Sequence, residues 1–533
     1  MSDEYIKNIQ NRMRKALNNG EEYFYNNGIK SGMIQDVSPT GLKKEDMLII
    51  SNEELVERIN SAKFESFIPD DEGFTEISPD GIKNELSKAI SENPMKFLNG
   101  FSVFFNLKDY EYFSTIFMSI KNIIQENRII IPQDIIINSI LQFIQVIKEK
   151  PDLEKEDLSF TITTLGWLFE VFILSQTSSL ESEIDNILKN SILELIKLVK
   201  EKNIENNSMF SFVINDPKCL MFSSLIWYLY YHNMNNKIFP ERDIEIKNFL
   251  INELKNINSL SIFLVFGHEF KRLWIIDKNW IQSNESIIFP EDDSKWFNII
   301  SHILLFSIPN HFDLSIFLIE QFKRASKLFI DSESVDKRII ERYLYCILVP
   351  FLVYSKETWS EPYSELVFSF IAKASMNQLS WLTTNLNIYT NANTERIELL
   401  WDKVLERLEK EKDSIIIRYI KQNLIHLVKM IELTKENSIR INKTLSEFPD
   451  NDIDIFSEIL LEKFNSKTAG AIGEIFLHYV NAGNYSFYPE EKVKSLIGKL
   501  FQDENSKGAA FQICNRYFEK GIYSISDISK EYP

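Results

Sequence analysis

The sequence predicts an all-α protein, an irregular helical-repeat α-solenoid of the HEAT or TPR kind, and three observations predict it. Apolar residues return every third or fourth place from one end of the chain to the other, the spacing that lays one stripe along a helix. Glycine and proline number 15 each in 533 residues, where average usage of about 7% and 5% would give roughly 64 together, so a turn-rich β fold is disfavoured. Several segments also open on the same aromatic–proline–acid signature. At about 150 residues per domain the length suits three or four domains or one long repeat array.

Residues 1–77 form an irregular segment with short helices. Gly20, Gly28, Gly32, Pro39, Gly41, Pro69 and Gly73 break the pattern every few residues and leave two helix candidates, Ile6 to Leu17 and Ser51 to Ile59. The second opens on Ser51-x-x-Glu54, a capping box. From Ser78-Pro79-Asp80-Gly81 onward the helices become regular, with Ile82, Leu86, Ala89 and Ile90 on one face. The solenoid is expected in two parts, residues 78–355 and 356–533, with a soft joint at 355–364 where Lys356, Glu357, Glu361 and Pro362 interrupt the apolar flow.

Within those parts the stripes are explicit. Ile137, Ile140, Leu141, Ile144 and Ile147 make one, and Ile184, Ile187, Leu188, Ile192, Leu195, Ile196 and Val199 a second. Ile397, Leu400, Trp401, Val404, Leu405 and Leu408 make the clearest, with Asn393 or Thr394 to cap its start, Glu395 in the first turn, and Lys410 and Lys412 at its end against the helix dipole. Val493, Leu496, Ile497, Leu500 and Phe501 close the series. Phe239-Pro240-Glu241, Phe289-Pro290-Glu291, Phe448-Pro449-Asp450 and Tyr488-Pro489-Glu490 each read as a helix start, with proline in the first turn, the acid on the positive helix end and the aromatic stapling the incoming chain. Their separations, 50 residues from Phe239 to Phe289 and 40 from Phe448 to Tyr488, lie near the roughly 40 to 47 of HEAT-type repeats.

The formal charge is −18, which opposes nonspecific binding to phosphate backbones and anionic membranes and favours a basic partner. Cys219, Cys346 and Cys514 are sparse, odd in number and set among apolar residues, as buried free thiols in a reducing compartment would be. The apolar runs Cys219 to Asn236 and Trp296 to Phe312 fall short of the unbroken 20 or so residues a bilayer requires, and are expected as buried helices. With no apolar leader after Met1, a cytoplasmic location is expected.

Chemistry-bearing motifs are sparse. No GxxxxGK[ST] phosphate loop occurs, and the nearest glycine pair, Gly470 and Gly473, has no lysine at the required place. The six histidines, His232, His268, His302, His311, His426 and His478, form neither HExxH nor a cysteine-spaced cluster. Asp450-x-Asp452-x-Asp454 opens like a calcium loop, but Ile455 stands where glycine is needed and Leu461 where glutamate is needed. Asp293-Ser294-Lys295 with Asp277 upstream has a nuclease-like spacing, yet follows Pro290 at a helix start, where acid and lysine do not face one metal. No GxSxG elbow exists, and Cys219 and His232 stand thirteen apart without a nucleophile pattern. Trp401 lies on a core stripe and is expected to pack, not to cage a ligand. Catalytic, cofactor-binding and metal-binding residues are therefore expected to be none.

One resemblance is specific to named residues. Asp216-Pro217 before an aromatic-rich helix, Val265-Phe266-Gly267 to Leu273, Asp277-Lys278-Asn279-Trp280, Ile288-Phe289-Pro290 and Trp296 resemble the helical C-terminal region of large bacterial STAND-like antiphage defence ATPases. Ser78-Pro79-Asp80-Gly81-Ile82 through Asn93-Pro94, Phe97 and Tyr110, and downstream Leu399-Leu400-Trp401, extend it over most of residues 70–525. The resemblance implies a solenoid serving as sensor or assembly arm, with the NTPase and effector domains of that family absent from this sequence. A separate NTPase or effector subunit, or a phage protein, is then the expected partner. The matched residues set turns and packing, and none is a catalytic residue. The alternatives are a general cytoplasmic HEAT-like scaffold and a hydrolase with a noncontiguous site between helices.

Overall fold

In the computed structural model the described residues are 34–39, 41–69, 74–127, 129–149, 155–175, 182–199, 213, 215–235, 240–256, 260–307, 312–330, 335–353, 357–386, 392–412, 414–445, 453–484, 489, 491–525, 528 and 530. The body is an all-helical solenoid, as the stripes predict. It divides into two compact units, Met1–Ile299 and Ile300–Pro533. The joint expected at 355–364 falls at the start of the helix Glu357–Lys373, inside the second unit. Among the described residues no helix is long and apolar enough to cross a membrane.

The first unit begins with a feature the helical periodicity does not contain, a three-stranded sheet of order β1-β3-β2. β1 (Ile34–Val37) runs parallel to β3 (Phe74–Ile77), and β2 (Glu65–Pro69) antiparallel to it. The irregular segment before Ser78 therefore holds strands as well as short helices, and four- or five-residue strands are too brief to show alternation. Between them lie α1 (Lys44–Ile49) and α2 (Asn52–Ser61). Ser51 caps α2 by accepting from the Glu54 backbone N–H at 3.2 Å, while the Glu54 side chain engages Arg58, so half of the expected capping box forms. The candidate helix Ile6 to Leu17 lies outside the described residues.

Ser78 then caps α3 (Pro79–Glu92) through the Gly81 N–H, with Pro79 in the first turn and Ile82, Leu86, Ala89 and Ile90 all fully buried. There follow α4 (Pro94–Asn99), a 3-10 turn at Phe101–Asn106, α5 (Glu111–Gln125), α6 (Gln133–Glu149), α7 (Lys155–Leu174), α8 (Ser182–Leu198) and α9 (Pro217–Met234). The unit closes through α10 (Pro240–Lys255), α11 (Leu260–His268), α12 (Phe270–Ile276), α13 (Lys278–Ser283) and α14 (Glu285–Ile288), and α15 (Asp293–Phe306) contains its boundary. As far as α9 the helices pack every second one, and α9 then packs on α12: α3, α5, α7, α9 and α12 form one row, and α4, α6 and α8 a second. A helix that must bury one stripe against a neighbour and a second against the next layer generates this arrangement.

The second unit repeats more regularly. It contains α16 (Phe312–Phe317), α17 (Ile319–Phe329), α18 (Lys337–Val353), α19 (Glu357–Lys373), α20 (Met376–Asn385), α21 (Thr394–Leu408), α22 (Ser414–Ile425), a 3-10 turn at His426–Met430, α23 (Lys435–Leu445), α24 (Ile453–Lys463), α25 (Ala469–Asn481), α26 (Glu491–Gln502) and α27 (Lys507–Glu519). α18, α20, α22, α24 and α26 begin at 337, 376, 414, 453 and 491, advancing by 38 or 39 residues each time. α19, α21, α23, α25 and α27 form the second row, neighbour on neighbour. Five helix pairs thus repeat on a period slightly below the 40 to 50 that the aromatic–proline–acid spacing suggests.

That signature is a turn and not a first helical turn in the case whose three residues are all described. Pro240 does begin α10, but Pro290 precedes α15 by three residues, and Asp292 is the cap, accepting from the Lys295 N–H at 2.9 Å. Phe289 anchors the turn, 6% exposed and packed on Phe270. Pro489 likewise precedes α26, and Phe448-Pro449-Asp450 lies outside the described residues.

Candidate functional site

Two places gather polar side chains on the fold, one in each unit, and a buried ionic cluster lies in the first. On the α7–α9–α12 row of the first unit, Ser223 and Trp227 share a face of α9 by their i, i+4 spacing. Ser223 Oγ donates to Glu269 Oε1 at 2.7 Å, and Glu269 Oε2 accepts from Arg272. The Arg272 guanidinium lies over the Trp227 ring, 3.7 Å from its centre. Glu170 on α7 completes the group. Burial, and then the negative charge of Glu269, push its carboxyl above the ordinary value. His268 Nε2 stands 3.9 Å from the same Glu269 oxygen, with its basicity lowered by burial. Glu269 Oε1 is thus shared between the serine hydroxyl and the histidine ring.

Deeper in that unit, Asp185 on α8 is buried between α9 and α10. His232 Nε2 lies 2.9 Å from Asp185 Oδ1, and Arg242 donates to Oδ2. Burial alone would raise this carboxyl, but hydrogen bonds from His232 and Tyr228 and the Arg242 charge hold it below its ordinary value. It is therefore held as an acceptor beside the His232 ring and the Arg242 guanidinium. Lys189, one turn further along α8, reaches Glu245 at 2.6 Å. The bonds to His232 and Arg242 tie α8, α9 and α10 together.

In the second unit a pocket of about 640 Å³ opens among α21, α22, α23 and α25. Leu405, Leu408 and Ile417 form its buried apolar wall, and Ile439, 53% exposed, stands at its margin. Lys421, only 9% exposed, and Asn442 face the same space. His478 lines it too, with Nε2 3.1 Å from the Asn442 backbone oxygen. Glu411 is engaged by Arg407. A polar ladder runs beside the pocket along the second row: Arg440 grips Asp402 with two donors at 2.7 and 2.6 Å, and Asn437 donates to Glu398 at 2.7 Å. Arg516 continues it to Asn481 at 2.9 Å.

The motifs singled out in the sequence take structural places. Cys219 and His232 are both buried on α9 but have different partners, Ser261 O for the thiol and Asp185 for the ring. Asp277 caps α13 and pairs with Lys247 at 2.7 Å, while the Lys295 ammonium lies over the Phe263 ring, so the nuclease-like residues are engaged apart. Gly473 lets α25 approach α27 closely: a Cβ there would stand 3.0 Å from that of Ala509. Trp401 is fully buried and donates from Nε1 to Thr444 at 2.9 Å. The three cysteines are buried and free, and burial pushes the Cys346 thiol up to about 12 and Cys514 to about 11. Asp450 and Asp452, His311, and Gly20, Gly28, Gly32 and Gly73 lie outside the described residues. Among the described residues no three acidic, histidine or cysteine side chains are grouped to hold a metal.

Sequence reasoning passed over the residues that gather in these places. Glu170, Ser223, Glu269 and Lys421 lie on three different helices and at one helix junction, with no short-range pattern. Asp185 and Lys189 did leave a signal: an i, i+4 acid and base set into an apolar stripe. No protein-family model matches the chain, and no curated protein matches it in sequence. The residues that carry the resemblance to defence ATPases have plain structural roles: Ser78, Asn93, Asp216 and Asp277 each cap a helix.

Proposed function

We propose that this protein is a non-catalytic helical-repeat interaction arm, and that the α21–α23 face of the second unit is where a protein partner docks. One observation carries the reading. Leu399 and Ile439 lie on successive second-row helices and are 44% and 53% exposed, each next in sequence to a member of the Asp402–Arg440 and Glu398–Asn437 bonds that hold those helices together. Apolar side chains held out by a rigid polar frame suit a docking surface better than a reaction centre. Stacked helix pairs supply the extended face such binding uses.

The resemblance over residues 70–525 supports a setting in bacterial antiphage defence. A separate NTPase or effector subunit, or a phage protein, is the partner there, and the cytoplasm the location. The charge of −18 favours a basic patch on that partner and faster association at low salt. The test is affinity capture of the wild type and of Leu399→Glu/Ile439→Glu from infected and uninfected cells. The expected result is a stoichiometric partner lost in the double variant with the helical fold retained; equal capture by both proteins refutes the docking face. A neighbouring gene for an NTPase or effector would separate the defence arm from a general scaffold.

A second reading, a hydrolase site between helices, is favoured by the Glu170 carboxyl, which burial and the Glu269 charge raise above its ordinary value, since a raised carboxyl suits acid–base work. Turnover of a substrate by the purified protein, abolished in Glu170→Gln, would establish it over the first.

A further inference from the structure

We infer that the start of α10, Pro240 to Glu245, is a strap latched by charge over a buried polar pit in the first unit, and that it lifts by itself while the rest of the helix stays packed. The two halves of α10 are the first ground. Its buried residues are Ile246, Leu250, Ile251 and Leu254, whereas none of Pro240 to Glu245 is buried. Ile244, the one large apolar side chain of that stretch, is 56% exposed.

Charge then supplies what apolar packing does not. Arg242 donates to Asp185 Oδ2 and stands 3.4 Å from the Tyr228 hydroxyl. Glu245 accepts from Lys189 at 2.6 Å. Lys247 reaches Asp277 at 2.7 Å, next to Ile246, where burial begins and the strap would hinge. Beneath it, Asp185 and Lys189 are closed off from water, at 1% and 6% exposed.

The two kinds of attachment respond differently to opening. An apolar half-helix leaves its neighbours only by exposing core surface to water, whereas a charged one exchanges protein partners for hydration. Lifting Pro240 to Glu245 takes no buried apolar side chain of α10 into water, and Asp185 keeps His232 on α9 as a partner. Few buried apolar contacts mark the segments that open locally, ahead of global unfolding. The lift makes an acid and a base that are closed in the resting fold reachable from solvent.

The strap is separate from the docking face and stands or falls without it. The experiment is acetic anhydride labelling of the full chain, read by mass spectrometry at Lys189 and at Lys88 of α3, whose side chain is 62% exposed, together with hydrogen exchange along α10. Arg242→Met, which leaves the Lys189–Glu245 pair in place, should speed labelling of Lys189 by about tenfold or more. Exchange at the Ile244 and Glu245 amides should quicken with it, while Leu250 to Leu254 and Lys88 keep their wild-type rates. Glu245→Gln removes a partner of Lys189 directly and is therefore read by exchange alone; it should quicken the same two amides, and covers the case in which Arg242→Met fails to fold. Unchanged rates in every variant that folds, or acceleration at Leu250 to Leu254 equal to that at Ile244 and residue 245, overturns the assignment.

Discussion

The two units solve the same packing problem with different devices. In the second unit, first-row helices advance by 38 or 39 residues, and the charges that link neighbours stay near the surface, as in Asp402–Arg440 and Glu458–Lys492. In the first, helices of the α3–α5–α7–α9–α12 row begin at 79, 111, 155, 217 and 270, with no constant step, and an ionic cluster is sunk between α8, α9 and α10. The charge is divided as unevenly. Residues 1–299 hold 45 acids against 31 bases, and residues 300–533 hold 32 against 28. A regular repeat lets equivalent surface residues meet their counterparts one period on. An irregular stack lacks that register, and here it fixes helices through interior polar contacts.

The comparison can be broken by substitution, beginning with the core. Trp401→Ala removes a fully buried ring and its bond to Thr444, and should cost about 3–5 kcal/mol in urea denaturation. A loss below about 1 kcal/mol would contradict its place on the buried stripe.

Asp185→Asn keeps the shape of the first unit's cluster but removes the charge, and should cost about 1.5–3 kcal/mol. Because the folded Asp185 carboxyl lies below its ordinary value, its contribution is fully present above the unfolded carboxyl range near pH 4 and is lost as pH falls further. Denaturation at pH 7 should therefore separate wild type from Asp185→Asn more widely than denaturation at pH 3; an equal separation at both would remove the charge from the explanation.

Gly473→Leu tests the close approach of α25 and α27, where even a Cβ would meet Ala509 at 3.0 Å. Overpacking should cost about 1–3 kcal/mol, read as a lowered urea midpoint. Arg440→Ala, a part-exposed ladder residue, should cost at most about 1 kcal/mol. A loss as large as that of Asp185→Asn would mean that the ladder and the buried cluster are equivalent devices.

Helix existence was the most legible layer, because burial of one face writes itself as periodicity. The stripe Val493, Leu496, Ile497, Leu500 and Phe501 is the buried face of α26, and Asn393 caps α21 through the Arg396 N–H. The end of α21 was read too long: it stops at Leu408 with Arg407 in its last turn, and Lys410 and Lys412 lie beyond. Strands β1 to β3 were illegible for want of length. The candidate sites were the least legible, since Glu170 feels the charge of Glu269, and Lys421 and Asn442 come to line one pocket, only across helices.

The sequence by itself determined that this chain is helical, where helices such as α2, α3 and α21 start, which faces the striped helices bury and that its thiols are buried, since these depend on contacts within a few residues. Tertiary structure alone decided the 38- or 39-residue register of the second unit, the burial of Asp185 and the pocket beside Lys421. Those depend on which side chains meet across rows, and contacts between residues tens of positions apart leave no local period to read.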